Sequence, residues 1–288
     1  MLIAQISDMH LSMPASPYEE IYGTAKHLAR AVAHLNALEP RPDVVLATGD
    51  LVERGEAGEY ERLYEQLEPL RMPVYLVPGN HDDRVILPQV LDRHRYLPRD
   101  GGFIQYTVED WPVRLVALDT LIPGESGGRL CAERLAWLDT RLAEAPGRPT
   151  LIALHHPPIA TGLSWMTENP RAAWVERLRA IVEAHPNIVA MVSGHLHRPI
   201  MTLWAGTALA VCPATAPQVA LDFAPMDSER PDGRAMIVAD QPWFALHYWN
   251  GTGLISHFDT AEEHEPLATF SDKRQPLLRM LKEERAKG

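Results

Sequence analysis

A chain of 288 residues, 46% hydrophobic and 23% charged, is long enough to bury a large α/β core and has the ordinary composition of an enzyme. Its formal net charge of −11 excludes a general nucleic-acid-binding surface, which needs an excess of lysine and arginine. Two cysteines without a CxxC pair exclude a disulfide scaffold and a thiolate metal site, and no stretch approaches the ~18 apolar residues of a membrane-spanning helix.

The chain opens with an apolar run at residues 2–6, which predicts a strand ending in Ser7-Asp8-Met9-His10. No basic leader precedes it, and Asp8 already belongs to a motif, so no cleaved segment is expected. Residues 24–38 carry Ala25, Leu28, Ala31, Val32, Leu35 and Leu38 at helical spacing, stopped by Pro40 and Pro42. The apolar strand 43–47 ends in Thr48-Gly49-Asp50. A helix is expected over 56–70, then a strand over 74–77 that breaks at Pro78-Gly79 and delivers Asn80-His81-Asp82.

Beyond lie a helix at 84–91, paired strands at 104–108 and 113–118 closed by Asp119, and a helix over 131–145. Asp119 reads as a turn or cap residue. The strand 150–154 runs into His155-His156-Pro157-Pro158. A helix over 171–184 is followed by a strand at 188–192 ending in Gly194-His195-Leu196-His197. Strands are expected at 201–204 and 208–212, and a hairpin around Asn250-Gly251 within 244–257. The charged tail from Lys273 to Gly288 reads as a short helix or partly disordered chain.

Five strand ends thus present Asp8, His10, Asp50, Asn80, His81, His156, His195 and His197. In an open α/β sheet the carboxyl ends of strands are where sites form. Adjacent histidines on a strand point opposite ways, so one of the His155-His156 pair is expected to face the site. The donors are all oxygen and imidazole nitrogen, a set that suits Mn, Fe, Co or Zn. They are too many for one ion. Two ions ~3.5–4 Å apart would use them and would clamp the attacking and leaving oxygens of a displacement. The remaining histidines (His27, His34, His94, His185, His247, His257, His264) read as surface or structural residues, and Glu262-Glu263-His264-Glu265 as a solvated charge run.

The blocks D-x-H (Asp8, His10), G-D (Gly49, Asp50), G-N-H-D (Gly79 to Asp82), H-H (His155, His156) and G-H-x-H (Gly194 to His197) resemble the calcineurin-like metallophosphoesterases, across residues 1–200. The resemblance is to the branch of bacterial cyclic nucleotide phosphodiesterases and glycerophosphodiesterases. It implies a four-layer α-β-β-α sandwich of two mixed sheets, with a catalytic domain over 1–235. The segment 236–288 is then a C-terminal hairpin and tail that caps the site or builds an oligomer. It also implies Asp8, His10 and His197 on one ion, Asp50 bridging, and Asn80, His156 and His195 on the other, with His155 facing away. Catalysis would fall to Asp50, Asn80 and His81. A hydroxide bridging the ions would attack phosphorus, and His81 would protonate the leaving oxygen. The expected substrates are small phosphodiesters, either 3',5'-cyclic nucleotides or glycerophosphodiesters. The alternatives are a phosphomonoesterase or nucleotide pyrophosphatase of the same fold, or a non-catalytic binding platform. A cytoplasmic homo-oligomer, dimer or higher, without nucleic-acid or membrane partners, completes the expectation. One departure stands out. Relatives often carry a histidine before a Gln-Val pair, where this chain has Pro217 before Gln218-Val219, so the substrate contact made there is expected to be missing or supplied elsewhere.

Overall fold

Unbroken apolar strands separated by amphipathic helices can satisfy both faces only if the sheets are covered on each side. In a computed structural model that describes residues 1–286, this is how the chain is arranged. Its elements are β1 (Leu2–Ile6), α1 (Pro17–Tyr22), α2 (Thr24–Ala37), β2 (Val44–Thr48), α3 (Ala57–Leu67), β3 (Val74–Val77), α4 (Ile86–Val90), β4 (Tyr106–Val108) and β5 (Arg114–Leu118). They continue with α5 (Ala132–Ala143), β6 (Thr150–Leu154), α6 (Ala173–Ala184), β7 (Ile188–Ser193), β8 (Ile200–Trp204), β9 (Thr207–Val211), β10 (Gln218–Val219), β11 (Ile237–Val238), β12 (Trp243–Trp249), β13 (Leu254–Thr260) and α7 (Gln275–Arg285). Lys287 and Gly288, the end of the expected tail, lie outside the described residues.

The first sheet has the order β13-β12-β1-β2-β3 and the second β4-β5-β6-β7-β9-β8. Both are mixed. β1, β2 and β3 run parallel, while β12 and β13 join antiparallel. β5, β6, β7 and β9 run parallel between antiparallel outer strands β4 and β8. Period-two alternation divides the second sheet between two cores. Leu115, Ala117, Leu151, Ala153 and Val192 pack toward the first sheet. Val116, Leu118, Ile152, Leu154 and Met191 pack with Leu135 and Leu138 of α5 and Val175 and Leu178 of α6. Leu28 and Leu35 of α2 and Tyr60 and Leu63 of α3 join the core of the first sheet. The four-layer α-β-β-α sandwich follows from that division.

The hairpin expected around Asn250-Gly251 forms there, with Trp243 paired to Thr260. It extends the first sheet: β12 pairs with β1, and Phe244 and Ala245 are buried. The boundary drawn at residue 235 therefore cuts through a sheet. Two elements were not expected, α1 and the two-residue β10–β11 pair. α1 is only six residues long, too short for a periodicity, and it is held by the Ser16 side chain capping Glu19 N–H.

His247 on β12 is fully buried, accepts from Ser256 Oγ at 2.7 Å and donates to Gln5 Oε1 at 2.9 Å. Burial, followed by the charge of nearby His257, pushes its imidazole down to about 4 from the ordinary 6.5. The folded value lies below the unfolded one. The associated stability is therefore whole above pH 6.5 and is lost as the pH falls toward 4, about 2 kcal/mol of it between pH 7 and 5. In thermal melts of metal-loaded protein, His247→Gln should show a shallower loss of stability over that interval than the parent chain. Parallel slopes would refute it.

Candidate metal centre

The two sheets abut so that the carboxyl ends of β1, β2 and β3 meet those of β6 and β7. The ligand-type residues lie just past the strands, where the backbone turns sharply. Asp8, His10, Asp50, His195 and His197 all have positive φ, between 43° and 74°. Non-glycine residues rarely adopt this conformation, and holding it costs of order 1–3 kcal/mol each. Five such residues at one point mark a place where geometry was favoured over comfort. The packing leaves no slack: a Cβ on Gly194 would strike Ser7 Oγ and Asp8 Oδ2, and one on Gly79 would strike Asp50. Asp8, His10, Asp50, His155, His156, His195 and His197 are all buried.

The hydrogen bonds on the far side of each ring decide which nitrogen is free. His10 Nδ1 donates to Glu53 Oε2 at 2.8 Å, and His197 Nδ1 donates to the Pro217 carbonyl at 2.9 Å. Each ring turns Nε2 inward, and the two Nε2 atoms lie 3.2 Å apart, where the carboxylates around His10 favour a proton when no ion is bound. Asp8 Oδ1 is 3.4 Å from the second of them. Lone pairs this close repel unless a cation lies among them. Asp8, His10 and His197 thus form the first ligand set, their donor atoms within 4.8 Å of one another.

On the other side, His155 is the ring that enters the centre. Its Nδ1 donates to the Thr48 carbonyl at 2.8 Å, which frees Nε2. That atom lies 3.2 Å from Asn80 Oδ1 and 3.3 Å from Asp50 Oδ2. His156 is placed differently. Thr120 Oγ1 accepts from the His156 backbone N–H at 3.3 Å and is hydrogen-bonded to His156 Nδ1 at 2.8 Å. The His156 ring carries its proton on Nε2, which faces two acceptors, the Ser126 carbonyl and Asn80 Oδ1, each at 3.2 Å.

This geometry differs from the expected arrangement, which gave the ion to His156 and turned His155 away. His155, expected to face away, offers a lone pair to the centre, and His156 orients Asn80. The reason is local: β6 ends at Leu154 and both histidines lie in the bend beyond it, where strand alternation no longer applies. His195 completes this side, clustered with both rings. The expected outcome of substitution is a split. His155→Ala should abolish binding of the second ion, whereas His156→Ala should weaken it about 10- to 100-fold. Calorimetric titration of metal-stripped protein separates the two, and the opposite ranking would restore His156 as the ligand.

Asp50 stands between the sets. Its Oδ2 lies 3.5 Å from His10 Nε2 and 3.3 Å from His155 Nε2, while Oδ1 accepts the His81 backbone N–H at 2.9 Å. A shared carboxylate oxygen is what a bridge requires. Burial works to raise the Asp50 carboxyl, but the His155 charge outweighs it and holds the group well below its ordinary value. Burial likewise pulls His155 down, and Asp50 and Asp8 overcome it, lifting the imidazole to about 9. His195 is pushed by burial and by the His155 charge down to about 3, and the pull of Asp50 does not offset them. The carboxylates hold a proton on His155 in the place a metal cation would take. An ion held there would displace that proton.

His81 lies at the mouth, its side chain 35% exposed. Its Nδ1 donates to the Glu53 carbonyl at 2.8 Å and its ring packs edge-on to His10. Glu53 thus orients both His10 and His81, and it was not recognised in the sequence. It stands three residues beyond Asp50 with no pattern to separate it from surface glutamates. Thr120 and the Pro217 carbonyl were missed likewise, because backbone acceptors and lone hydroxyls leave no signal. Pro217 contributes its carbonyl to His197, and the wall there is made by Val219 and Ile237. A pocket of about 340 Å³ opens over the centre, with Tyr18, Trp165 and Met166 also on its walls.

A two-sheet sandwich with an oxygen and nitrogen centre for two ions at the strand ends defines a binuclear metallohydrolase architecture. The model of the family described as calcineurin-like phosphoesterase matches residues 1–199, and the chain belongs to that family. It is 31% identical over 279 residues to a protein of Arcobacter nitrofigilis named "probable glycerophosphodiester phosphodiesterase", covering 96% of this chain and all of that one. It is 32% identical over 219 residues to the 3',5'-cyclic adenosine monophosphate phosphodiesterase of Escherichia coli, covering 75% and 76% of the two chains. A dimetal phosphatase from Danio rerio shares the fold, with a TM-score of 0.63 and 16% identity over 91% of this chain and 97% of that one.

Proposed function

We propose that this protein is a two-metal phosphodiesterase acting on small phosphodiesters, the 3',5'-cyclic nucleotides or glycerophosphodiesters. The observation that carries this reading is the pair of lone-pair sets that share Asp50. Asp8, His10 and His197 would hold one ion, and Asn80, His155 and His195 the other. When bound, the ions supply Lewis acidity that activates water and polarises the phosphoryl oxygens. The donor set suits Mn, Fe, Co or Zn.

The protein's own groups do the rest. Asn80, its Oδ1 turned toward the ligand rings, keeps Nδ2 as a donor for a non-bridging phosphoryl oxygen. The Glu53 carbonyl fixes the His81 ring so that its other nitrogen serves the leaving oxygen as proton donor. Among the described residues no lysine or arginine lines the pocket. That supports a diester, a monoanion, over a monoester dianion, whose extra charge would have no side-chain partner. The flat and apolar walls at Tyr18, Trp165 and Met166 accommodate an organic group on each side of phosphorus. Two free cysteines, one of them buried, support a reducing, cytoplasmic setting. Among the described residues no helix is long and apolar enough to cross a membrane. The exposed residues along outer strand β13 and on α7 support assembly into a dimer or larger oligomer.

The test is hydrolysis of bis(p-nitrophenyl) phosphate beside p-nitrophenyl phosphate by metal-stripped protein titrated with Mn²⁺. Diester turnover that appears with metal and exceeds monoester turnover is expected. Faster monoester turnover would make the protein a phosphatase. No turnover with two ions bound would leave a binding platform.

A further inference from the structure

Asp119 closes β5, and its carboxylate is fully buried. A turn or cap residue has no need of burial, and this one is gripped from several sides. Arg84 reaches it with a two-pronged contact, Nε to Oδ2 at 2.7 Å and Nη2 to Oδ1 at 3.0 Å. Arg134 lies 3.7 Å from Oδ1 and donates to the Asp119 carbonyl at 2.9 Å. The backbone N–H groups of Ile104 and Leu121 take the remaining lone pairs, each at 2.9 Å. The Phe103 ring is flanked by both guanidinium groups, 5.0 Å from Arg84 and 4.4 Å from Arg134.

The position of this group in the chain gives it meaning. Arg84 is four residues past Asn80, on the same loop. Asp119 is followed by Thr120, whose hydroxyl fixes His156, whose Nε2 reaches Asn80 Oδ1. The contacts form a closed circuit: Asn80, His156, Thr120, Asp119, Arg84, and back along the loop to Asn80. Neither histidine of the first set needs this circuit, since His10 and His197 are oriented by Glu53 and Pro217.

We infer that Arg84 and Asp119 are positioning residues that clamp the Asn80 loop to the end of β5, and so set the affinity of the second metal ion while leaving the first untouched. This rests on the two-ion reading of the centre. Two bonds in a planar fork fix direction as well as distance, which a lysine cannot reproduce. Loss of the fork frees the loop to rotate, and partners of this outer kind are worth about 10- to 100-fold in metal affinity.

The experiment is titration of metal-stripped full-length protein with Mn²⁺, followed by calorimetry and by the electron paramagnetic resonance of free ion. The chains compared are the parent, Arg84→Lys, Arg84→Gln and Thr120→Val. The parent should bind two ions. Each variant should bind the first ion within about twofold of the parent and the second about 10- to 100-fold more weakly, and Mn²⁺ excess should restore diester turnover toward the parent value. Arg84→Lys keeps the charge and covers the case in which Arg84→Gln does not fold, and Thr120→Val breaks the same circuit at another point. Unchanged affinity for the second ion in Arg84→Lys and Thr120→Val overturns the clamp. Equal weakening of both ions overturns it as well, since it signals general loosening. A parent that binds only one ion overturns the two-ion reading, and the clamp with it.

Discussion

Replacement of Asp50 is expected to lower diester turnover by about 10³-fold or more and to reduce the bound metal from two ions toward one. Asp50 Oδ2 reaches both ligand sets, 3.5 Å from His10 Nε2 and 3.3 Å from His155 Nε2. Without it only Asp8 among the ligands carries charge to set against two cations in a buried site. Two substitutions separate bridge from scaffold. Asp50→Ala also removes the acceptor for the His81 backbone N–H, which is 2.9 Å from Oδ1. Asp50→Asn can keep that acceptor while losing the charge. If charge and bridging are what matter, both variants lose the second ion and fall by comparable factors. Full turnover in Asp50→Asn would show that the carboxylate does no more than hold the loop.

His81→Gln is expected to give a loss that depends on the substrate. General acid catalysis contributes typically 10²–10⁴-fold, and it matters when the departing oxygen is a poor leaving group. For a diester of an alkyl alcohol the variant should fall by about that factor. For bis(p-nitrophenyl) phosphate, whose phenolate leaves unaided, less than about tenfold is expected. The measured quantity is the ratio of kcat/KM for the two substrates in parent and variant. An equal loss on both would make His81 a structural neighbour of His10, against whose ring it packs.

The fold was legible because its signals are of the kind that sequence carries well. Each parallel strand is a continuous apolar run, and each long helix has one apolar stripe, so β3 and β6 fall at the expected residues. The candidate ligands stood out too, since Asp, Asn and His crowded at strand ends have no packing reason to be there. The geometry behind them was not legible. Asp8 and His10 lie past Ile6, where β1 ends, and both adopt left-handed backbone. Strand alternation could say only that one of the His155-His156 pair faces the site, and both lie in the bend past β6, where it no longer applies. Periodicity is a property of regular backbone, and a site built where regularity stops escapes it. Glu53, Thr120 and Arg84 escaped for another reason. Each acts through a partner far away in sequence, and only the fold brings the two together.

The seam on which the centre lies has a consequence for how the molecule holds together. Asp8, His10, Asp50 and Asn80 come from one sheet, and His155, His195 and His197 from the other. Ions bound there would therefore be rivets across the two halves. A ligand that binds only the folded state stabilises it by about 2.7 kcal/mol when present at 100 times its dissociation constant. Chelation should lower the melting temperature by several degrees and should expose first the amides where the sheets face one another. Hydrogen exchange at the ends of β2 and β6, measured with and without Mn²⁺, would reveal whether the chain's own chemistry is also its mortar.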